Sequence, residues 1–212
     1  MTMSMAVPST SFKILTVCTG NICRSPLAEH LLRQHLGRWP IVEVTSAGTR
    51  ALVGKPMTAQ TIGIAQANGA IDANSHSARE LGLDQLRDAD LVIALTRAHR
   101  GEIAATFPRG SRHTFTLREL ARLFENLHAT DLETVAKMAV EDTAGRVAEL
   151  VDVAAGLRGF VAPPEDQLDD DVIDPYHRGD DIYALMANQL IPAVETIADS
   201  FTLAATITPH HV

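Results

Sequence analysis

Residues 12–32 read FKILTVCTGNICRSPLAEHLL and contain three segments with different patterns. The first, Phe12 to Val17, is a short apolar run typical of a buried strand. A polar loop, CTGNICRS, follows it. From Pro26 onward, apolar residues recur at helical spacing, and the proline lies near the start, where a helix tolerates it. The stretch therefore predicts a strand, a loop and a helix in direct succession.

Strand and helix patterns continue to alternate after this unit. Such alternation implies right-handed crossovers and a parallel sheet covered by helices on both faces. We therefore predict an α/β fold, a single domain with a four-stranded parallel sheet of the flavodoxin-like kind. In open sheets of this type ligands bind beyond the carboxyl ends of the strands, where the loop 18–25 must lie. The further strands are predicted at Ile41–Ser46, Leu91–Leu95 and His113–Thr116, and the helices between them at Thr58–Asn68 and Arg97–Thr106.

The second half of the chain is predicted to be mostly helical. A stretch of about 117–171 contains long amphipathic segments and ends in the acidic, proline-containing loop PPEDQLDDD. A final helix is predicted from Asp181 to about Ser200, with Pro192 kinking it or splitting it in two. The tail after Thr202 is expected to fray, and both termini are expected to be flexible.

Composition limits the classes of function. The chain has 212 residues, 46% of them hydrophobic and 21% charged, which fits one globular domain spanning 1–212. A net charge of −8 argues against nucleic-acid binding, which needs clustered cations. The two cysteines are too few for a disulfide framework, so a reducing, cytoplasmic location is expected. The N-terminal residues do not resemble a signal peptide, and no run is long enough to span a membrane.

The loop 18–25 combines the groups that phosphoryl chemistry requires. Cys18 is a nucleophile only as thiolate, which the helix N-terminus, the loop N–H groups and Arg24 should favour. A loop that winds around one centre directs its N–H groups inward to bind an oxyanion, and Gly20 and Asn21 tolerate left-handed backbone. Arg24 offers a planar fork for two phosphoryl oxygens, and Ser25 can donate a hydrogen bond to the sulfur. The loop residues expected to bind phosphate are Thr19, Gly20, Asn21, Ile22, Cys23 and Ser25.

The segment VCTGNICRSP resembles the signature loop of low-molecular-weight protein-tyrosine phosphatases, and the resemblance extends over roughly 12–116 and 172–200. Four further segments resemble the family in the same chain order: SAGT at 46–49, HSAR at 76–79, the strand at 90–95, and DPY at 174–176. The stretch 117–171 departs from the family, which has a much shorter connection there. It is therefore interpreted as a helical insertion before the DPY segment, which is the acid loop of the family. The insertion could be a lid, a partner surface or an inert elaboration.

The resemblance implies a metal-independent and cofactor-free phosphatase. Cys18 would attack phosphorus to form a phosphocysteine intermediate, with Arg24 holding the phosphoryl group. Asp174 would protonate the leaving oxygen and then act as base toward water. The implied substrate is a phosphotyrosine-containing protein, with a tyrosine kinase as one candidate, and the loop would hold phosphate or another oxyanion.

The resemblance also assigns supporting residues around the loop. Asn21, Ser25 and His76 would hold the loop in shape. Tyr176 would form one wall of the pocket. Leu52 would form another, in the segment RALVG at 50–54, where many eukaryotic members carry a tryptophan. That departure resembles bacterial members associated with polysaccharide-regulating tyrosine kinases, and it leaves substrate preference open.

Several alternatives remain open. Cys23 is either a packing residue or a partner that forms a reversible disulfide with Cys18. Asp171 and Asp180 are reserves for the general acid. The runner-up activity is reduction of arsenate with a small-molecule thiol on the same scaffold. A catalytically silent phosphotyrosine-binding module is the alternative from a different class.

Overall fold

The central sheet has four parallel strands, as the sequence predicts. A computed structural model describes residues 11–39 and 41–209. Its strand order is β2-β1-β3-β4, with β1 paired to both β2 and β3. The parallel α/β fold class is therefore confirmed. The strands are β1 Phe12–Cys18, β2 Val42–Gly48, β3 Leu91–Ala94 and β4 Thr114–Thr116.

Helices cover both faces of this sheet. Side chains of β1 alternate between them: Ile14 belongs to the larger hydrophobic core, while Leu15 and Val17 belong to a smaller one with Leu86 and Ile103. The eight α-helices of the described residues are α1 Arg24–Leu36, α2 Ala59–Ala67, α3 Leu83–Asp88, α4 Arg97–Thr106, α5 Leu117–Glu125, α6 Glu133–Lys137, α7 Thr143–Leu157 and α8 Asp180–Thr206. None of them combines the length and hydropathy needed to cross a bilayer. The cytoplasmic location stays a prediction.

The predicted insertion, about 117–171, packs on the larger core. Leu120 and Phe124 of α5 and Leu150 of α7 are buried in the same hydrophobic cluster as α1 and α8. The ring of Phe124 contacts Phe201 of α8 edge to face, with centroids 5.8 Å apart. Most of this stretch is thus continuous with the core, while its boundaries as an insertion stay a prediction.

The last helix extends beyond its predicted end, and of the two alternatives at Pro192, a kink or a split, the split is excluded. A single helix, α8, passes through Pro192, so the chain is not split there. It continues to Thr206, beyond the point where fraying is expected, and Ala204 and Ile207 are buried. The reason is the fully buried Arg146 of α7, whose guanidinium donates to the carbonyls of Ala204, Ile207 and Met138. Carbonyls at a helix C-terminus need such partners from outside the helix.

We expect Arg146→Met to lower the free energy of unfolding by about 3 kcal/mol or more, because three carbonyl groups lose their donor. Chemical denaturation would measure the change. Arg109→Met, at an exposed position, is the matched control and should change stability by less than about 0.5 kcal/mol. Equal stability of the two variants would show that Arg146 does not hold the end of α8.

Candidate active site

The loop 18–25 lies at the carboxyl end of the central strand. Cys18 is the last residue of β1 and Arg24 is the first residue of α1, so the loop faces the N-terminus of that helix. Cys18 and Arg24 are both buried. The structure thus places the predicted nucleophile and the predicted phosphate clamp at opposite ends of one short loop.

The backbone carbonyls of the loop are directed outward. Five successive carbonyls accept hydrogen bonds from residues outside the loop. In a trans peptide the N–H of the next residue points the opposite way, so the N–H groups of residues 19–23 face the loop centre. The bonds run from Thr49 N to Cys18 O (2.9 Å), Arg50 N to Thr19 O (3.1 Å), Leu52 N to Gly20 O (3.0 Å), His76 Nε2 to Asn21 O (2.7 Å) and Thr58 N to Ile22 O (3.0 Å).

The left-handed residue of the loop is Asn21, with φ of 54°. Gly20, expected to use the same freedom, is not left-handed, and a Cβ there would meet only Ile22 Cγ1, at 3.5 Å. Side-chain hydrogen bonds hold Asn21 in this conformation: Nδ2 donates to Ser25 Oγ (3.0 Å) and Ser46 Oγ (2.8 Å), and Oδ1 accepts from Arg79 N (2.9 Å). The amide compensates for the conformational strain.

Ser25 lies directly behind the cysteine sulfur. Its Oγ is 2.9 Å from Cys18 Sγ, while Asn21 Nδ2 donates to the same oxygen. The Ser25 proton therefore points either to Cys18 or to the Ala47 carbonyl, and the carbonyl is farther away, at 3.4 Å. This geometry allows Ser25 to donate to a thiolate.

Arg24 and Asp174 meet at the mouth of the loop. Arg24 Nη2 is 2.8 Å from Asp174 Oδ2, and Nη1 donates to the Val172 carbonyl at 3.1 Å. The Arg24 Nε is buried and has no hydrogen-bond partner in the described residues. Asp174 itself is half exposed, with 48% of its side chain accessible. The edge of the guanidinium that carries Nε and Nη2 can therefore donate to an oxyanion, although Nη2 pairs with Asp174 here.

A small pocket of about 190 Å³ opens above Cys18. Ile22 and Leu52 and the ring of Tyr176 supply much of its apolar lining. Of the described residues that line it, Asp174 alone carries a carboxyl group, and Arg50 is a cation that sequence reasoning did not select. The structure thus brings Leu52 and Tyr176 together with the loop at one pocket.

Cys23 lines the same pocket as Cys18, but its thiol has a different environment. It is buried, with Sγ 3.6 Å from Thr58 Oγ1 and 3.8 Å from Tyr183 Oη. Burial raises the pKa of the Cys23 thiol, which disfavours its thiolate. Both cysteines are free thiols here, and the reversible disulfide between them stays a prediction.

Glu29 on α1 forms a support that sequence reasoning missed. This buried carboxylate accepts from Ser46 Oγ at 2.5 Å and pairs with Arg33 at 3.3 Å. Its Oε2 lies 3.9 Å from His76 Nδ1, and burial lowers the pKa of His76. The buried chain from Glu29 through Ser46 to Asn21 therefore braces the loop from behind. No signal in a single sequence distinguishes Glu29 from other helix-surface glutamates.

Glu29, His30 and His76 are also the group of described residues best placed to hold a metal, with one possible ligand atom each within 4.8 Å. Their known contacts already have structural uses. His30 Nδ1 pairs with Asp72 at 2.9 Å, and His76 Nε2 binds the loop carbonyl of Asn21. We therefore interpret the cluster as loop support.

Two further residues around the loop escaped sequence reasoning. Gly48, the last residue of β2, runs so close to the loop that a Cβ would lie 2.4 Å from Thr19 O. His99 of α4 is buried with Nε2 2.8 Å from Thr19 Oγ1. Both depend on contacts between distant segments. For Gly48 the only available signal was the SAG sequence at the end of β2. For His99 the sequence carried no signal.

Comparison with known proteins adds a family context. A family model described as "Low molecular weight phosphotyrosine protein phosphatase" matches residues 13–133, past the start of the predicted insertion. The low molecular weight protein-tyrosine-phosphatase Etp of Escherichia coli K12 is 42% identical over 95 residues, which are 45% of this chain and 62% of Etp, so the match spans less than two thirds of that relative. The probable phosphatase EpsP of Ralstonia solanacearum is 37% identical over 66% of this chain and 90% of its own.

Solved structures agree on the fold. The arginine phosphatase YwlE from Geobacillus stearothermophilus superposes with a TM-score of 0.62 at 25% identity, covering 90% of this chain and 93% of that one. The Erwinia amylovora tyrosine phosphatase amsI superposes with a TM-score of 0.61 at 21% identity over the same shares.

Proposed function

The chain belongs to the low molecular weight phosphotyrosine protein phosphatase family, and from this premise we propose that it hydrolyses phosphotyrosine through a phosphocysteine intermediate. Cys18 is the nucleophile, Arg24 the phosphate clamp, and Asp174 the general acid and base. The observation that carries the proposal is the convergence of the loop N–H groups on the space in front of Cys18, with Arg24 and Asp174 at its mouth.

Phosphate fits the unfilled side of Arg24. Nη1 is tethered to the Val172 carbonyl, which fixes the plane of the guanidinium. The buried, unpartnered Nε and the Nη2 group lie on the same edge, and this edge can donate two parallel hydrogen bonds to phosphoryl oxygens. A bound dianion would therefore satisfy a buried donor and compete with Asp174 for Nη2.

This competition prepares Asp174 for its first role. When phosphate takes Nη2, the Asp174 carboxyl is released from Arg24 and is free to face the leaving oxygen of the substrate. The Cys18 thiolate then attacks phosphorus. The S–P bond forms, the bond from phosphorus to the tyrosine oxygen breaks, and the Asp174 proton moves to the leaving oxygen.

The second step regenerates the thiolate. Water attacks the phosphocysteine while the Asp174 carboxylate accepts a water proton, so a P–O bond forms and the S–P bond breaks. Ser25, 2.9 Å from the sulfur, donates a hydrogen bond that stabilises the departing thiolate. The loop N–H groups and Arg24 stabilise charge on the phosphoryl oxygens in both steps.

The lining of the pocket favours an aryl ester. Relatives of this chain are named as phosphatases of tyrosine and of arginine. A flat aromatic ring would contact Ile22, Leu52 and Tyr176, all of which line the pocket. A phosphoarginine guanidinium would have Asp174 as the one carboxylate among the described lining residues. The proposed substrate is therefore a phosphotyrosine-containing protein, with a tyrosine kinase as a candidate.

We expect the wild-type protein in the presence of EDTA to hydrolyse a phosphotyrosyl peptide with kcat/KM at least about 10-fold above that for phosphoarginine. Leu52→Ala should raise KM for the peptide several-fold. Val53→Ala is the matched control, because Val53 is more exposed and does not belong to the lining. Phosphate release and arsenate-dependent glutathione consumption would be measured side by side. If glutathione is consumed and no ester is hydrolysed, the protein is an arsenate reductase and the proposal is wrong. If phosphoarginine is the better substrate, the protein is a phosphatase of phosphoarginine and not of phosphotyrosine.

A further inference from the structure

A buried imidazole joins the catalytic loop to the next helix along the sheet. His99, in the first turn of α4, lies between two threonine hydroxyls: Nδ1 is 2.7 Å from Thr96 Oγ1 and Nε2 is 2.8 Å from Thr19 Oγ1. Thr96 is the N-cap of α4, and its Oγ1 also accepts from the His99 backbone N at 3.2 Å. Thr19 is the loop residue after Cys18, and it lines the pocket.

One tautomer of His99 fits all of these contacts and leaves a donor for the pocket. Thr96 Oγ1 already accepts from one N–H, and its own proton can be donated to His99 Nδ1. The ring proton then resides on Nε2 and is donated to Thr19 Oγ1. With its oxygen engaged as acceptor, Thr19 has its hydroxyl proton available for the pocket.

The neutral ring is the form that this arrangement needs. Burial, and after it the charge of Arg24, lowers the pKa of His99 to about 4. A protonated ring would have to donate to Thr96 through Nδ1 and would add a second cation near Arg24. At neutral pH, one tautomer of an uncharged imidazole therefore faces the loop.

We propose that His99 is a positioning residue that fixes the Thr19 hydroxyl as a hydrogen-bond donor to the phosphoryl group. The inference rests on the proposed function and adds a side-chain donor to the backbone N–H groups of the loop. The Thr19 hydroxyl would contact a phosphoryl oxygen directly, whereas His99 would act only through Thr19. His99 and Thr19 are 80 residues apart in sequence, and only the fold brings them together.

A double-mutant cycle tests the relation between the two residues. Thr19→Val removes the hydroxyl with little change in shape, and His99→Leu removes its orienting partner. Each single change should lower kcat/KM for a phosphotyrosyl peptide roughly 10-fold and weaken inhibition by orthovanadate by a similar factor, as expected for one hydrogen bond to a charged group. The double variant should be no more than about 2-fold worse than Thr19→Val, because His99 has nothing left to orient.

Conservative variants separate positioning from a structural role. Thr19→Ser retains the hydroxyl and should keep activity within about 3-fold of wild type. His99→Gln places an amide donor near the position of Nε2 and should recover most of the activity lost in His99→Leu. His128→Leu, at an exposed position, controls for the loss of a histidine. Thermal unfolding of each variant verifies folding, and if His99→Leu does not fold, His99→Ala replaces it in the cycle.

Three outcomes would overturn the proposal: multiplicative loss of about 100-fold in the double variant, no effect of Thr19→Val, or no recovery with His99→Gln in a folded protein. If the wild type hydrolyses no phosphate ester, the proposed function fails by itself. The orthovanadate cycle, measured by direct binding, would then still decide whether His99 orients Thr19.

Discussion

Cys18→Ser is expected to lower kcat for a phosphotyrosyl peptide by about 10⁴-fold or more, while inorganic phosphate binds with little change. The reason is that oxyanion binding and nucleophilic attack depend on different groups of the proposed site. In the proposed site the loop N–H groups and Arg24 bind the oxyanion without help from the sulfur, whereas the attack needs a thiolate that a serine hydroxyl cannot supply. Single-turnover kinetics together with ligand binding by calorimetry would measure the two effects separately.

Cys23→Ser is the matched control in the same loop. Cys23 Sγ lies 3.6 Å from Thr58 Oγ1 and 3.8 Å from Tyr183 Oη, and burial disfavours its thiolate. We expect this variant to retain activity within several-fold of wild type. Acid quenching of the wild-type reaction should trap phosphate on Cys18 and not on Cys23. A Cys18→Ser protein with undiminished turnover, or an equal loss in both variants, would contradict the assignment of the nucleophile.

The fold could be predicted because its signals are local. The apolar runs at Phe12–Val17 and Leu91–Leu95 are short, lack helical spacing and are each followed by a helix pattern, which suits buried parallel strands. The position of the loop 18–25 then follows from topology alone, since it comes directly after β1. Cys18, Arg24 and Ser25 could be selected from the sequence because they lie together in the eight-residue loop 18–25. Each of them has a chemical role that is evident within that loop.

The parts that could not be predicted depend on distant contacts. Arg146 extends α8 to Thr206 from α7, 58 residues before Ala204, so the helix end has no local signal. Glu29 and His99 support the loop from α1 and α4 through hydrogen bonds to Ser46 and Thr19. The choice of Asn21 over Gly20 as the left-handed residue was similarly hidden, because two of the three partners that hold its amide, Ser46 and Arg79, are distant in sequence.

Asp174→Asn is expected to lower kcat/KM, which reports the first chemical step, by about 10² to 10³-fold for phenyl phosphate and much less for 2,4-dinitrophenyl phosphate. Arg24 and the Tyr176 backbone N contact different oxygens of Asp174, and an asparagine can keep one of these two bonds. Arg24 also donates to the Val172 carbonyl, so the loop geometry should persist. The asparagine cannot supply a proton, and only the poorer leaving group needs one to depart. The variant should therefore show a steep dependence of kcat/KM on leaving-group acidity, while the wild type shows a shallow one, measured over a series of substituted phenyl phosphates.

Asp180→Asn and Asp171→Asn test whether another carboxylate in the same acidic segment has this role. Asp180 lies in the first turn of α8, 3.4 Å from Gln60, and its replacement should leave kcat within about 2-fold for every leaving group. Asp171 accepts from Arg97 N at 2.7 Å, and its neighbour Val172 holds Arg24 through its carbonyl. Replacing Asp171 should change the rate for all substrates by a similar factor, because the substitution disturbs Arg24 and not the proton transfer. A steep leaving-group dependence in either control, with a shallow one in Asp174→Asn, would move the general acid to that residue.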